Sequence, residues 1–266
     1  MTSIKPTRRL EGKVAIITGG GGAIGSAQAQ IFAREGAAIC VADNRIQAAK
    51  KVASEIISVG GRAIAVELDV RESSAWRKVV SKTERELGLI TILCNNAGAN
   101  FRVEFEQQTD DQFELIMDVG LNGAFFGIKA VVPSMRKAGT GVILNMGSLA
   151  AIRPGGGSPG YAAQKMAMIG LTRSAAQSFA KDNIRCIIIS PGHVDSAFIR
   201  ANNEHSPNNW ETTIDNPENF KRRILNTPLG RLQSPEDIAN AFMFAATDDA
   251  AMITGSMITV DGGAGM

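Results

Sequence analysis

Tyr161 is the sole tyrosine of this chain, and it stands four residues before Lys165 in the run Gly160-Tyr-Ala-Ala-Gln-Lys165. Residues at i and i+4 share a helix face, so this spacing predicts a phenol and an ammonium one turn apart. A free phenol has a pKa of about 10 and is a poor base at neutral pH. A neighbouring cation favours the phenolate, and lowering that pKa by ~3 units requires ~4 kcal/mol of differential stabilisation. The pair therefore has the makings of a general acid–base centre. The same spacing also arises on solvated helix faces, so the elements around it must decide.

The first of these elements lies near the start of the chain. Lys13-Val-Ala-Ile-Ile-Thr18 has the β-branched character of a buried strand, Gly19-Gly-Gly-Gly-Ala-Ile-Gly25 follows, and Ser26 to Glu35 reads as a helix. Glycines at a strand-to-helix turn let the backbone approach a pyrophosphate, which then rests on the free amides of the helix N-terminus. Asp43 ends the second strand, 18 residues beyond Gly25. A carboxylate there can accept both hydroxyls of an adenosine ribose.

With these residues in view, the chain resembles the short-chain dehydrogenase/reductase family from about Leu10 to Gly263. Thr18-Gly19-x-x-x-Ala23-Ile24-Gly25 is similar to the family's glycine turn, with Ala23 at its middle glycine. Asp69-Val70 matches the pair beside the adenine, and Asn95-Asn-Ala-Gly98 matches the motif after the fourth strand. Ser148 lies 13 residues before Tyr161, the family interval between catalytic serine and tyrosine. Pro191-Gly192 follows the sixth strand, and Gly230-Arg-Leu-x-x-Pro235-Glu-Asp-Ile and Ile253-Thr-Gly-Ser-Met-Ile-Thr-Val-Asp-Gly-Gly263 complete the pattern. The resemblance implies catalysis by Ser148, Tyr161 and Lys165. It implies NAD held by Gly19, Gly22, Ile24, Gly25, Asp43, Asp69, Val70, Asn96, Ala97, Gly98, Tyr161, Lys165, Pro191, Gly192, Val194 and Ser196. NAD is expected over NADP, because Asp43 repels a 2′-phosphate and Gly20-Gly-Gly22 offers no basic residue to receive one; Arg45 is the complicating neighbour.

Two departures stand out. Where the family carries Val-Asn-Leu-x-Gly, this chain reads Val119-Gly120-Leu121-Asn122-Gly123. Asn122 lies two positions on, roughly 200° round a helix, and is no substitute. The family asparagine acts largely through its backbone carbonyl, which Gly120 retains, so the proton relay is expected to survive. Ile187 replaces a polar sixth-strand residue and reads as a structural change.

Strands expected near 13–18, 37–43, 63–68, 90–95, 141–147, 184–190 and 256–260 alternate with helices. The fold class is thus α/β, a doubly wound parallel sheet in a single Rossmann-like domain over 10–266, after a loose tail at 1–9. A single core is well supported at 266 residues. The helices near 109–137 and 160–181 carry more small and apolar residues than one buried face needs. The resemblance implies that they pair with another subunit, giving a homodimer or homotetramer. The segment 197–227 holds seven asparagines and a short helix expected after Asn216-Pro217. Its Phe198, Ile199, Trp210, Ile214, Phe220 and Ile224 suit a lid that folds over substrate.

A formal net charge of +2 gives no electrostatic case for nucleic acid. The apolar runs are strand-length, so no membrane span is expected. Cys40, Cys94 and Cys186 fall in predicted strands and read as reduced thiols of a cytoplasmic protein. His193 and His205, the two histidines, lack ligand spacing, so no metal is expected. The pocket candidates Leu149, Ala150, Ile152, Arg153, Asn100, Phe101 and Arg102 are mostly apolar. They favour a small cyclic or hydrophobic secondary alcohol or ketone, with a sugar or polyol as competitor. A redox sensor or scaffold subunit that binds the dinucleotide without turnover is the alternative class, resting on Gly120. A nucleotide-sugar epimerase would need a longer C-terminal substrate domain.

Overall fold

The computed structural model describes residues 8–153 and 157–266. Seven strands form one parallel sheet: β1 (Val14–Thr18), β2 (Ala38–Asp43), β3 (Arg62–Glu67), β4 (Ile92–Asn95), β5 (Gly141–Met146), β6 (Ile184–Pro191) and β7 (Met257–Val260), in the order β3-β2-β1-β4-β5-β6-β7. Each begins or ends within two residues of its expected bound. The central strands β1, β2, β4 and β5 are buried along their whole length, as strands covered on both faces require.

Alternation along the strands builds two cores. Ala15, Ile17, Ile39, Val41 and Leu144 face α1 (Ala23–Arg34), α2 (Ile46–Ser58) and α9 (Pro235–Ala246). Ile16, Cys40, Leu93 and Ile143 face the opposite layer of α3 (Ser73–Glu86), α4 (Asp110–Met117), α5 (Gly123–Ala138) and α6 (Pro159–Phe179). The remaining helices, α7 (Ala197–Arg200) and α8 (Pro217–Leu225), belong to the excursion after β6. β1 pairs with β2 on one side and β4 on the other. The strand order reverses there, opening a crevice at the carboxyl ends of the strands.

Three details correct the sequence reading. Residues 1–7 of the expected tail lie outside the described residues, but Arg9 is tied down: its guanidinium pairs with Asp249 and its N–H donates to Glu35. Within the helical run Asp110–Ala138 an 18-residue window reaches a mean hydropathy of 1.6, so apolar length is not confined to strands. Length and composition alone would let it cross a membrane, yet half of its apolar window is buried inside the domain. Ile116, Ile128, Val131, Val132 and Met135 account for that burial, as a core helix requires. The expected lid residues, finally, form a small core of their own. Ile199, Ile214 and Leu232 pack with Phe198, Phe220 and Ile224, while Trp210 is 62% exposed.

Candidate active site

Tyr161 owes its position to the start of α6. Ser158 caps the helix by accepting the Tyr161 N–H at 3.3 Å, and Pro159 fills the first turn, where no N–H is needed. Gln108 braces the same turn, accepting the Gly160 N–H at 2.8 Å and donating to Ser158 Oγ at 3.2 Å. Asn100 accepts the Ser158 N–H at 3.3 Å. One turn on, Lys165 is buried and its ammonium donates to the carbonyl of Met146, at the end of β5, at 2.8 Å. Its nitrogen lies 5.4 Å from the centre of the Tyr161 ring. Ser148 sits just past β5, accepts the Ala150 N–H at 3.1 Å and lines the same cavity as Tyr161.

The electrostatics differ from the simple expectation that Lys165 lowers the phenol. Burial pushes the Tyr161 pKa up, opposed by the Ser148 hydrogen bond and the positive charge of Arg102. Burial also pulls Lys165 down to about 8. Desolvation disfavours the charged form of each group, and it is the largest influence on both.

All three residues line a cavity of about 650 Å³ that begins at the glycine turn. Gly19, Gly22, Ile24, Asp43, Asp69, Val70, Asn96, Ala97 and Gly98 line one end, with Pro191, Gly192, Val194 and Ser196 along its course. Gly25 does not line it. A Cβ there would collide with the Gly19 carbonyl, so this glycine lets α1 close on the turn. Thr18 locks that end together by accepting the N–H groups of Asn96 and Ala97 at 3.0 and 3.1 Å.

This end fits a dinucleotide. Helix α1 follows Gly22 as its N-cap, with no side-chain cap and no acid in its first turn, leaving its amides free for a pyrophosphate. Asp43 is buried and accepts the N–H groups of Gly21 and Arg45, each at 2.9 Å. Its carboxylate retains lone pairs for ribose hydroxyls. Asp69 is clamped by Arg71, which holds its carboxyl below the ordinary range.

Gly120 sits in a π-helical turn, Asp118–Asn122, between α4 and α5. Such widened turns recur at functional sites. Asn122 points to solvent and bonds Asp118, as its offset requires. The buried side chain beside Gly120 is Gln164.

The substrate end is less apolar than the sequence suggested. Leu149, Ala150, Arg153, Asn100 and Arg102 line it, whereas Ile152 is exposed and Phe101 belongs to the core. Arg222 and Arg223 of α8 join them, with His193. In one dimension, adjacent arginines on a short helix read as a solvated face. The turn of the chain after β6 brings them inward.

Residues 21–265 match the family model described as enoyl-(acyl carrier protein) reductase. The chain is 35% identical to 2,5-dichloro-2,5-cyclohexadiene-1,4-diol dehydrogenase of Sphingobium indicum, over 96% of this chain and 97% of that one. It is 34% identical to 4-formylbenzenesulfonate dehydrogenase of Comamonas testosteroni, over 96% and 98% of the two chains. A 3-oxoacyl-[acyl-carrier protein] reductase structure from Brucella melitensis with bound NAD superposes with a TM-score of 0.87 at 25% identity, covering 99% and 95%. The fold and these relatives define an oxidoreductase acting on alcohols or the matching ketones. The chain belongs to the short-chain dehydrogenase/reductase family.

Proposed function

We propose that this protein transfers hydride between NAD and a small cyclic or hydrophobic secondary alcohol or its ketone, with Ser148, Tyr161 and Lys165 as the catalytic residues. The observation that carries the reading is the shared wall: Ser148 and Tyr161, with Lys165 one turn away, line the cavity that begins at the uncapped turn of α1.

Bound along Gly19, Gly22, Ile24, Asp43, Asp69 and Asn96, with Pro191, Val194 and Ser196 at its far end, the dinucleotide would supply the hydride acceptor or donor. Ser148 holds the substrate oxygen by donating a hydrogen bond. Tyr161 moves the proton at its hydroxyl, giving it to the forming alkoxide in reduction and taking it from the alcohol in oxidation. Its raised pKa keeps the phenol protonated at neutral pH, ready for reduction. Lys165 contributes positive charge and a donor toward the ribose, anchored by the Met146 carbonyl.

Support for a cyclic substrate comes from the similarity to a cyclohexadienediol dehydrogenase. Asp43 supports NAD, because a 2′-phosphate would meet a buried carboxylate. Exposed Phe113, Phe125 and Met166 on α4, α5 and α6 support association of copies through these helices. The sensor alternative rested on Gly120, and the packing of Gln164 against it gives that glycine a structural reason instead. Nicotinamide absorbance, followed while purified protein and NADH meet a panel of alicyclic, aryl and polyol-derived ketones, tests the proposal. Consumption is expected with alicyclic ketones; none with any member would overturn it.

A further inference from the structure

The substrate end of the cavity gathers positive charge that no acid neutralises. Arg102, Arg153, Arg222 and Arg223 line it, and among the described residues none of the four makes an ion pair. Nearby on the same excursion Arg200 pairs with Asp195 and Asp215, so arginines here find acids where the fold provides them. The cluster meets neutral groups instead. Arg102 donates to Ser206 Oγ at 3.0 Å and to the Phe198 carbonyl at 2.9 Å, and its guanidinium lies 5.5 Å from the Phe198 ring centre. Arg223 meets His193 Nδ1 at 3.2 Å, Arg222 donates to Asn219 Oδ1 at 2.8 Å, and Arg153 donates to the Ala264 carbonyl at 2.6 Å. The Nε atoms of Arg102 and Arg223 are both buried without an acceptor. Among the described residues Glu204 is the one acid lining this end, and it is exposed and turned to His205. Asp43 and Asp69 belong to the dinucleotide end.

Gathering like charges in a partly buried cavity costs free energy unless an anion joins them. Two neighbours register the resulting field. His193 is pulled down to about 4 by burial and by Arg223, Arg153 and Arg222. Arg102 is pulled down to about 10 by burial and by Arg223, while Tyr161 acts on it in the opposite direction. Arg102 thus feels both Arg223 and the phenol.

Resting on the dehydrogenase reading, we propose that the substrate is an anion, a hydroxy- or oxo-acid whose carboxylate or sulfonate is held by Arg102 and Arg223 while its carbinol carbon faces Tyr161. Planar guanidinium groups suit such oxyanions, because two N–H groups can bind two oxygens. Arg153 and Arg222, at the cavity mouth, draw the anion in by longer-range attraction.

The test has a binding arm and a turnover arm, both on the full chain. With two histidines in the sequence, the imidazole proton resonances can be followed individually. Adding cyclohexanecarboxylate should raise the His193 pKa by ~1 unit or more as negative charge arrives, and cyclohexanecarboxamide should not. Arg223→Leu should abolish the difference between the two compounds. Equal responses to acid and amide, or no response to the acid, would overturn the anion site. Displacement of the acid by NAD, showing that the arginines serve the dinucleotide, would overturn it too. In the turnover arm, 4-oxocyclohexanecarboxylate should exceed its methyl ester in kcat/KM by ~10-fold or more, the worth of about 1.4 kcal/mol. An ester as good as the acid overturns the inference and leaves the dehydrogenase standing. Binding of the acid without any NADH oxidation by either ketone removes the dehydrogenase reading and keeps the anion site.

Discussion

The carboxamide of Gln164 fills the space that a side chain at Gly120 would need: a Cβ built there would lie 2.5 Å from Gln164 Cδ. Gln164 comes from α6, one residue before Lys165, and its Nε2 is buried with no hydrogen-bond partner. The glycine and the glutamine are therefore complementary, and restoring an asparagine is no longer the mild change that the retained carbonyl suggested. Gly120→Asn should destabilise the fold by about 1–3 kcal/mol through overpacking and lower turnover with it. Adding Gln164→Ala should recover most of both. Denaturant unfolding of the single and double variants checks this; a fully stable single variant would show that Gln164 moves aside freely.

Asp43 should set cofactor choice. Its buried carboxylate faces the cavity beside exposed Arg45. Asp43→Ala should narrow the preference for NAD over NADP, with kcat/KM for NADP rising as the repulsion is removed. Equal or better use of NADP by the unaltered protein would contradict the role.

His193 predicts an acid limit to stability. Its pKa is 6.5 ordinarily and about 4 in the fold, so between those values the unfolded chain binds a proton that the folded one refuses. Stability then rises with pH across that window. The contribution is fully present above about 6.5 and lost as pH falls towards 4. Melting temperature measured from pH 4 to 7 should fall towards acid, and less steeply for His193→Asn. Superimposable curves would remove His193 from the account.

The segment 197–227 roofs the cavity with Asn203, His205, Arg222 and Arg223 and with Phe198 and Ile199 from the edge of its own apolar core. Backbone hydrogen exchange there should slow when NAD and substrate are both present, as expected of a closing lid. Trp210→Ala should leave kinetics unchanged, because Trp210 faces solvent. Equal protection in both states would speak for a rigid roof.

Most of the scaffold was legible because the strands are short, largely apolar runs bounded by glycine or polar turns, as at Val14–Thr18 before Gly19. Tyr161 and Lys165 were legible through helical spacing, and Asp43 through its distance from the glycines. What escaped depends on contacts between distant segments. Arg222 and Arg223 become cavity residues only when the chain folds back after β6, and Gln164 gains meaning only against Gly120. The phenol's upward shift was missed because spacing reveals a cation one turn away but not the burial that dominates the shift. The lid's apolar residues were legible as covered, and Phe198 and Ile199 of them reach the cavity. Hydrophobicity says that Ile199, Ile214 and Phe220 are covered, but not by what.

The account turns on the hydroxyl of Tyr161, and Tyr161→Phe removes that hydroxyl while keeping the ring. Turnover of NADH with an alicyclic ketone that the native protein reduces, measured beside NADH affinity, is the direct measurement. The prediction is a fall in kcat of ~100-fold or more, in line with the loss of a general acid, with affinity for the dinucleotide retained. In the native protein, alcohol oxidation should also climb with pH beyond neutrality, because burial raises the phenol above its ordinary value of 10.0. The variant should show only a low, pH-independent residue. Near-native turnover in Tyr161→Phe would contradict the assignment of Tyr161 as the proton-transfer group.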